Sequence, residues 1–240
     1  MGQTLFISDL HLSGETPETV ARFSGFCDRQ ARGSDALYIL GDLFDTWIGD
    51  DDDSPPAPEV RKVIRTLVDG GTPVFLQHGN RDFLIGKRFC DQTGATLLPE
   101  ESVIDLYGRR ALLMHGDILC TDDVGYQQAR LMLRNPDFIR NFLSKSLPER
   151  AAIAAAYRQQ SGEATSLLAD DIMDVNAGAV ADALERHGAD CLIHGHTHRL
   201  GRHEIALAGR AAERIVLGEW HPERGSCLVA TAGDLVLTDC

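Results

Sequence analysis

Short apolar runs recur along this chain, and five of them lead directly into polar residues. Such continuous runs are typical of strands that are buried on both faces. They predict five strands, at residues 4–8, 36–40, 73–77, 111–114 and 191–193. Helix-like stretches lie between them, at residues 17–31, 59–69 and 175–187. Strands that alternate with helices and end in polar residues indicate an α/β fold with a site along the carboxyl edge of its sheet.

The remaining segments complete the predicted architecture. Short strands at 214–217, 226–230 and 234–238 are separated by Gly and Pro, which predicts hairpins in a second sheet. Residues 124 to about 174 contain no strand-like run and predict a helical insertion between the fourth and fifth strands. We therefore expect one domain over residues 1–240, a sandwich of two mixed sheets flanked by helices. The acidic, proline-containing segment 50–56 predicts a solvated connector.

Composition and charge narrow the functional classes. The formal net charge of -13 disfavours general attraction to nucleic acid, so we expect no nucleic-acid partner. The six cysteines form no C-x-x-C pair, and reduced thiols are expected. No secretory signal precedes the first strand, and no apolar stretch has the length of a membrane span. These features favour a cytoplasmic protein.

The polar clusters at the five strand ends carry the candidate chemistry. A single Asp at a strand end is usually a cap, and a single His is more often structural than a ligand. Five clusters at one sheet edge are hard to obtain by chance, and we interpret them as one site. In chain order they contain Asp9 and His11, Asp42 and Asp45, Asn80 and Asp82, His115, and His196 and His198.

These residue types indicate a metal centre. Carboxylate and amide oxygens with imidazole nitrogens, and without thiolates, suit divalent ions such as Mn²⁺. A central carboxylate bridges two ions about 3.5–4 Å apart in binuclear phosphatases, where the pair lowers the pKa of water and neutralises phosphoryl charge. The sequence therefore predicts a two-metal phosphoesterase.

The five motifs resemble the signature of the calcineurin-like metallophosphoesterases, which implies two Mn²⁺ ions per subunit. By that resemblance one ion is held by Asp9, His11, Asp42 and His198. The other is held by Asp42, Asn80, His115 and His196. Asp42 is then the bridge, while Asp45 and Asp82 orient ligands rather than bind ions.

Longer stretches of sequence indicate one family within this superfamily, and the resemblance to it covers nearly the whole chain. Residues 41–52 (GDLFDTWIGDDD), 78–84, 114–123 and 172–176 resemble the UDP-2,3-diacylglucosamine diphosphatase family. The resemblance implies hydrolysis of the pyrophosphate bond of UDP-2,3-diacylglucosamine in lipid A biosynthesis, giving UMP and 2,3-diacylglucosamine 1-phosphate. Water would attack the α-phosphorus. It also implies peripheral attachment to the cytoplasmic face of the inner membrane, and no obligate protein partner is expected.

Arg81 stands where many members of the superfamily have a His that is credited with protonating the leaving group. Arginine is a poor proton donor, but its fork of N–H groups suits phosphate oxygens. A sugar 1-phosphate is already a stable anion when it leaves, so a general acid is unnecessary. We therefore expect Asp42, Asn80 and Arg81 to be catalytic, with Arg81 stabilising charge in the transition state. The alternative is a surface salt bridge from Arg81 to Asp82.

The insertion has an amphipathic pattern. Phe138, Ile139, Phe142 and Leu143 share one helix face. Six basic residues between 124 and 160 face only two acidic ones, which fits an anionic, acylated substrate at a membrane surface. The alternative is a helical hairpin that buries its apolar face on the body of the protein.

By the family resemblance, the insertion is a lid over the acyl chains. The implied substrate contacts are Asn80, Arg81, Asp123, Arg158, Ser161, Thr165 and His196. Thr165 replaces an Asn that is frequent in relatives, and Leu168, where some have Lys, is assigned no contact. Two other functions stay open: a metallophosphoesterase for another phosphodiester or phosphomonoester, and a binding module without catalysis.

Overall fold

The computed structural model describes residues 2–165 and 174–240, with side chains for 2–159 and 174–240. Its strands are β1 (Thr4–Ile7), β2 (Ala36–Leu40), β3 (Val74–Gln77), β4 (Thr96–Leu97), β5 (Ser102–Leu106), β6 (Arg109–Leu113), β7 (Cys191–His194), β8 (Gly201–Leu207), β9 (Arg210–Val216), β10 (Ser226–Ala230) and β11 (Leu235–Asp239). Its helices are α1 (Pro17–Phe26, continued by a π-helical turn at Cys27–Ala31), α2 (Ala57–Asp69), α3 (Lys87–Thr93), α4 (Val124–Leu133), α5 (Pro136–Leu143), α6 (Leu147–Thr165) and α7 (Ala177–His187), with a short 3-10 turn at Asp117–Leu119.

The first sheet has six strands in the order β11-β10-β1-β2-β3-β4. Its strands β1 to β4 are parallel, and β10 joins β1 in the antiparallel sense. Successive side chains of β1 enter different cores, since Leu5 and Ile7 pack with the α1 and α2 residues while Phe6 packs towards the second sheet. Burial on both faces explains why this strand has no polar alternation.

The second sheet has five strands in the order β5-β6-β7-β9-β8, with a parallel centre and antiparallel edges. Leu113 and Ile193 face the first sheet, whereas Leu112 and Leu192 lie in a separate core with Leu184 of α7. Two mixed sheets with helices on their outer faces confirm the predicted fold class.

The predicted position of the C-terminal hairpin was wrong. The strand over 214–217 is the end of β9 and does lie in the second sheet, but β10 and β11 belong to the first. Leu5 of β1 pairs with Val229 of β10, which extends the first sheet beyond its N-terminal strand. This pairing joins segments more than 200 residues apart, so the pattern of apolar and polar residues within either segment does not predict it.

The acidic segment after β2 is largely exposed, as predicted for a solvated connector, but it also forms a structural junction that the sequence did not predict. The Asp50 carboxylate accepts hydrogen bonds from the backbone N–H groups of Gly86 and Phe89 at the start of α3, and from Trp47 Nε1. Asp51 pairs with Arg150 of α6, whose side chain is 3% exposed. The segment therefore connects β2, α3 and the helical insertion.

The insertion consists of α4, α5 and α6 as far as residue 165. Phe142 is buried and stacks on Phe138 with 6.4 Å between ring centroids, whereas Leu143 is 40% exposed. The apolar face of α5 is therefore divided between packing and solvent. None of the helices within residues 2–165 and 174–240 combines the length and apolar character needed to cross a bilayer.

Candidate metal centre

The carboxyl ends of β1, β2, β3, β6 and β7 meet at one edge of the sandwich, and the seven predicted ligands lie there. In the first group, His198 Nε2 is 3.3 Å from Asp9 Oδ1 and 3.5 Å from His11 Nε2. The ligand atoms of these three residues all lie within 4.8 Å of one another. An oxygen and two imidazole nitrogens at this spacing form a set that a single cation can occupy.

The second group surrounds Asn80. Its Oδ1 lies 3.0 Å from His115 Nε2 and 3.0 Å from His196 Nδ1. The other ring nitrogen of His115, Nδ1, lies 2.8 Å from the carbonyl oxygen of Leu40, to which it donates. This hydrogen bond leaves the Nε2 lone pair directed into the site, the usual arrangement for a metal-binding histidine.

Asp42 lies between the two groups. Its Oδ2 is 3.9 Å from His11 Nδ1 in the first group and 3.8 Å from His115 Nε2 in the second. Its Oδ1 accepts a hydrogen bond of 2.8 Å from the backbone N–H of Arg81. The carboxylate is 2% exposed, so its position is that of a buried bridge.

Backbone conformation is unusual at this edge. In the described part of the chain, the non-glycine residues with positive φ are Asp9, His11, Asp42, Tyr107, His196 and His198. All except Tyr107 are predicted ligands. A left-handed conformation costs a residue with a Cβ about 1–2 kcal/mol, and such conformations concentrate at functional sites. Hydrogen bonds such as those from His11 N to Asp42 O and from Trp220 N to Asp9 O hold the loops in place.

Two glycines allow the β2 and β3 loops to touch. Gly41 has φ of 91°, and a Cβ placed on it would lie 2.7 Å from the backbone of Gly79. A Cβ on Gly79 would overlap the Asp42 carboxylate. Any side chain at either position would separate Asp42 from Asn80, which explains the glycines in these two motifs.

The electrostatics of the site suit a cation. Burial raises the pKa of Asp42 to about 7, and it lowers the pKa of both His11 and His196 to about 4. The neutral imidazoles of His11 and His196 offer lone pairs at neutral pH, and a nearby cation stabilises the buried Asp42 carboxylate. Burial also opposes the charge of His198, but its hydrogen bonds to Asp9 and Glu219 outweigh this and raise its pKa to about 10, so a cation that binds there displaces a proton. Within the described residues, Asp9 Oδ1 and His11 Nδ1 are buried without hydrogen-bond partners. A metal ion in the first ligand group would give Asp9 Oδ1 the partner that it lacks, so the residues fit the group.

Asp82 and Asp45 contact different partners beside the centre. The buried Asp82 accepts hydrogen bonds from the backbone N–H groups of Leu43 and Gly79, and so holds the two ligand loops together. Arg81 pairs with Asp45, 2.6 Å away, so the alternative of a salt bridge from Arg81 to Asp82 was wrong. Arg158 of α6 reaches the same Asp45 carboxylate, also at 2.6 Å.

Sequence reasoning assigned no role to Asp117, the last residue of the H-G-D motif. Its carboxylate is 1% exposed and accepts hydrogen bonds from Tyr126 Oη and Arg130 Nε of α4. The Tyr126 ring lies 5.9 Å from that of His196. Asp117 therefore connects the insertion to the second ligand group.

Glu219 was also missed. It follows β9, and its Oε2 lies 3.2 Å from His198 Nδ1. The segment Leu217-Gly218-Glu219 repeats the pattern of an apolar strand that ends in a glycine and an acidic residue. That pattern is the sequence signal that points to Glu219.

The remaining predicted substrate contacts are only partly described. Asp123 caps α4 by accepting a 2.8 Å hydrogen bond from the Tyr126 N–H. Arg158 lies at the centre through its contact with Asp45. Ser161 and Thr165 lie in α6, outside the residues whose side chains are described, and Leu168 lies outside the description altogether.

Comparisons with known proteins identify the family of this chain. A family model described as calcineurin-like phosphoesterase matches residues 2–200. The UDP-2,3-diacylglucosamine hydrolase of Salmonella typhi is 54% identical, over 98% of this chain and 97% of that protein. The protein of the same name from Escherichia coli O7:K1 is 52% identical over the same shares.

Solved structures support the fold alone. The structure of an archaeal phosphodiesterase covers 99% of this chain with a TM-score of 0.50 and 12% identity. A hypothetical protein from Pyrococcus horikoshii covers 100% of it, also with a TM-score of 0.50. At identities this low, shared architecture does not specify a substrate. The family match and the two close relatives do establish membership: the chain belongs to the calcineurin-like phosphoesterases and, within them, to the UDP-2,3-diacylglucosamine hydrolase family.

Proposed function

We propose that this protein hydrolyses the pyrophosphate bond of UDP-2,3-diacylglucosamine, releasing UMP and 2,3-diacylglucosamine 1-phosphate, with two Mn²⁺ ions held by the seven clustered residues. The position of the buried Asp42 between two sets of ligand atoms carries the proposal of a two-metal hydrolase. The substrate is taken from the relatives, which are 52% to 54% identical and named for this activity.

The two cations, when bound, supply a water molecule of lowered pKa and neutralise phosphoryl charge. Asp9, His11 and His198 would hold one, Asn80, His115 and His196 the other, and Asp42 both. The protein fixes these side chains in advance, through hydrogen bonds such as that between His115 Nδ1 and the Leu40 carbonyl. Preorganised groups of this kind need no rearrangement as charge develops.

Two arginines beside the centre suit a diphosphate. Arg81 from the β3 loop and Arg158 from α6 both contact the carboxylate of Asp45. Each therefore already has an anionic oxygen as its partner, and a phosphoryl oxygen has similar chemistry. Because Arg81 Nε also lies 3.9 Å from Asp42 Oδ2, it can contact a phosphate held at the bridge. The leaving sugar 1-phosphate needs no proton, in agreement with a guanidinium at this position.

Product analysis tests the reaction and the phosphorus that is attacked. Purified protein with Mn²⁺ and UDP-2,3-diacylglucosamine in water enriched in heavy oxygen is expected to release UMP, and the label is expected in UMP. Mass spectrometry of both products measures this distribution. Label in the sugar phosphate would overturn attack on the α-phosphorus. Comparable turnover of an unacylated UDP-sugar or of a simple phosphodiester would contradict the lipid substrate.

We also propose that the outer face of the insertion contacts the cytoplasmic surface of the inner membrane, as a peripheral protein does. Support comes from three large apolar side chains of α4 that are exposed: Val124 at 61%, Leu131 at 72% and Met132 at 50%. The basic residues of the insertion contribute less to membrane attraction than their number suggests. Arg130, Arg134, Arg150 and Arg158 all pair with acidic residues of the body, so their charge mainly holds the insertion in place.

A vesicle assay tests this surface. Replacing Leu131 and Met132 together with Ser is expected to weaken sedimentation with phospholipid vesicles about tenfold or more, because each exposed apolar chain contributes roughly 1–2 kcal/mol on entering lipid. As a matched control, Val236 of β11, which is 47% exposed on a different part of the fold, is replaced with Ser. Equal vesicle binding by the double variant and the control would contradict the proposed surface.

A further inference from the structure

Glu219 lies beside the first ligand group without belonging to it. Its Oε2 is 3.2 Å from His198 Nδ1, and its Oε1 is 3.8 Å from His11 Nε2. The exposed His221 approaches the same carboxylate, at 3.5 Å. The atoms that lie within 4.8 Å of one another belong to Asp9, His11 and His198. Glu219 thus contacts His198 on the ring nitrogen that faces away from the first ligand group.

The backbone fixes this position from both sides. Leu217 N–H donates to the carbonyl oxygen of His194, at 2.8 Å, and Trp220 N–H donates to that of Asp9, at 3.0 Å. The Trp220 indole is buried, with its Nε1–H donating to the Ser226 carbonyl at 3.0 Å. The Glu219 side chain therefore starts from a rigid loop that is connected directly to the ligand strand β1.

The two nitrogens of His198 face different partners. Nε2 faces Asp9 and His11, whereas Nδ1 faces Glu219. A neutral imidazole has one N–H and one lone pair. When Nδ1–H donates to Glu219, the lone pair must be on Nε2, directed into the ligand group. Carboxylates that receive the second N–H of a metal-binding histidine set its tautomer and orientation in this way.

We propose that Glu219 is a positioning residue, which fixes His198 with Nε2 directed at the first cation site and thereby strengthens binding of that cation. The inference rests on the proposed two-cation function. It adds to that function a residue outside the seven ligands, Glu219, which supports the first of the two cation sites.

The test compares Mn²⁺ binding by full-length, metal-stripped protein, followed by titration calorimetry. Replacing Glu219 with Ala removes the acceptor, and affinity at one of two sites is expected to fall about 10- to 100-fold, the usual effect of losing such a partner. Glu219→Gln keeps an acceptor oxygen and is expected to bind with intermediate affinity. Glu223→Gln changes the same charge at an exposed position farther along the same β9–β10 connection and is expected to match the unmodified protein.

Thermal unfolding of the metal-free proteins separates positioning from general damage. Glu219 is 31% exposed, and partly exposed ion pairs contribute at most about 1 kcal/mol, so the Tm is expected to change by no more than about 4 °C. Unaltered Mn²⁺ affinity in the Ala variant would overturn the proposal, as would Gln binding as weakly as Ala. If the unmodified protein binds two ions and releases UMP while these variants behave like it, only the role of Glu219 fails. If it does not bind two ions, the proposed function fails as well.

Discussion

Asp42→Asn is expected to lower kcat/KM for UMP release by about 10³-fold or more, which corresponds to roughly 4 kcal/mol of lost transition-state stabilisation. The reason is the position of this carboxylate between the two ligand groups, where it is 2% exposed. An amide keeps the size of the side chain and an oxygen to accept the Arg81 N–H, but it has no charge to share between two cations. Steady-state kinetics and the number of Mn²⁺ ions bound per chain measure the effect.

A matched control isolates the site from general effects of the change. Asp182→Asn removes one carboxylate from the exposed face of α7 and is expected to leave turnover and metal content unchanged. If Asp42→Asn retained near-normal turnover with two ions bound, Asp42 would not be the bridge. Normal binding of two ions together with lost turnover would instead assign the carboxylate to chemistry rather than to metal retention.

Arg81→Ala is expected to lower kcat by about 10²- to 10³-fold, the range found when one preorganised donor to a developing charge is removed. The Arg81 side chain is 38% exposed, so its loss should leave the fold intact. Arg81→Lys retains the charge without the planar fork and is expected to recover only a small part of the loss. Single-turnover kinetics at saturating substrate separates this effect from weaker binding.

Arg65→Ala is the matched control, since Arg65 is half-exposed on α2 and pairs with Asp69 one turn away. It is expected to leave kcat unchanged. Full recovery by Arg81→Lys would mean that charge alone matters at this position. An unaffected Arg81→Ala variant would contradict any catalytic role and leave Arg81 as a partner of Asp45.

The centre of the fold was predictable because its strands are buried on both faces. β1, β2, β3, β6 and β7 each contain a continuous apolar run, and each was predicted to within two residues of its observed ends. The edge strands gave weaker signals. β4 has two residues, and β8 is largely exposed, so neither has a period-two pattern with a buried face. The sheet to which β10 belongs is decided by its pairing with β1, which is distant in sequence, so the residues of β10 alone do not predict it.

The seven candidate ligands were predictable for a similar reason, since each follows a strong strand signal. Asp117 and Glu219 show the limit of that reasoning. Asp117 was visible in its motif, but its function depends on Arg130, which reaches it from α4. Glu219 follows β9, and the sequence does not show that this strand pairs with β7, which leads to His196 and His198. Contacts between separate elements decide both roles.

The positive φ angles in the metal centre restrict how this site can diverge. Asn, Asp and Gly adopt a left-handed backbone more readily than other residues, whereas β-branched residues rarely do. His196 and His198, with φ of 67° and 57°, are therefore expected to tolerate Asn far better than Val or Thr. A related protein that no longer binds cations should therefore still have Asn, Asp or Gly at these two positions, because the left-handed backbone would restrict the choice of residue even without metal binding.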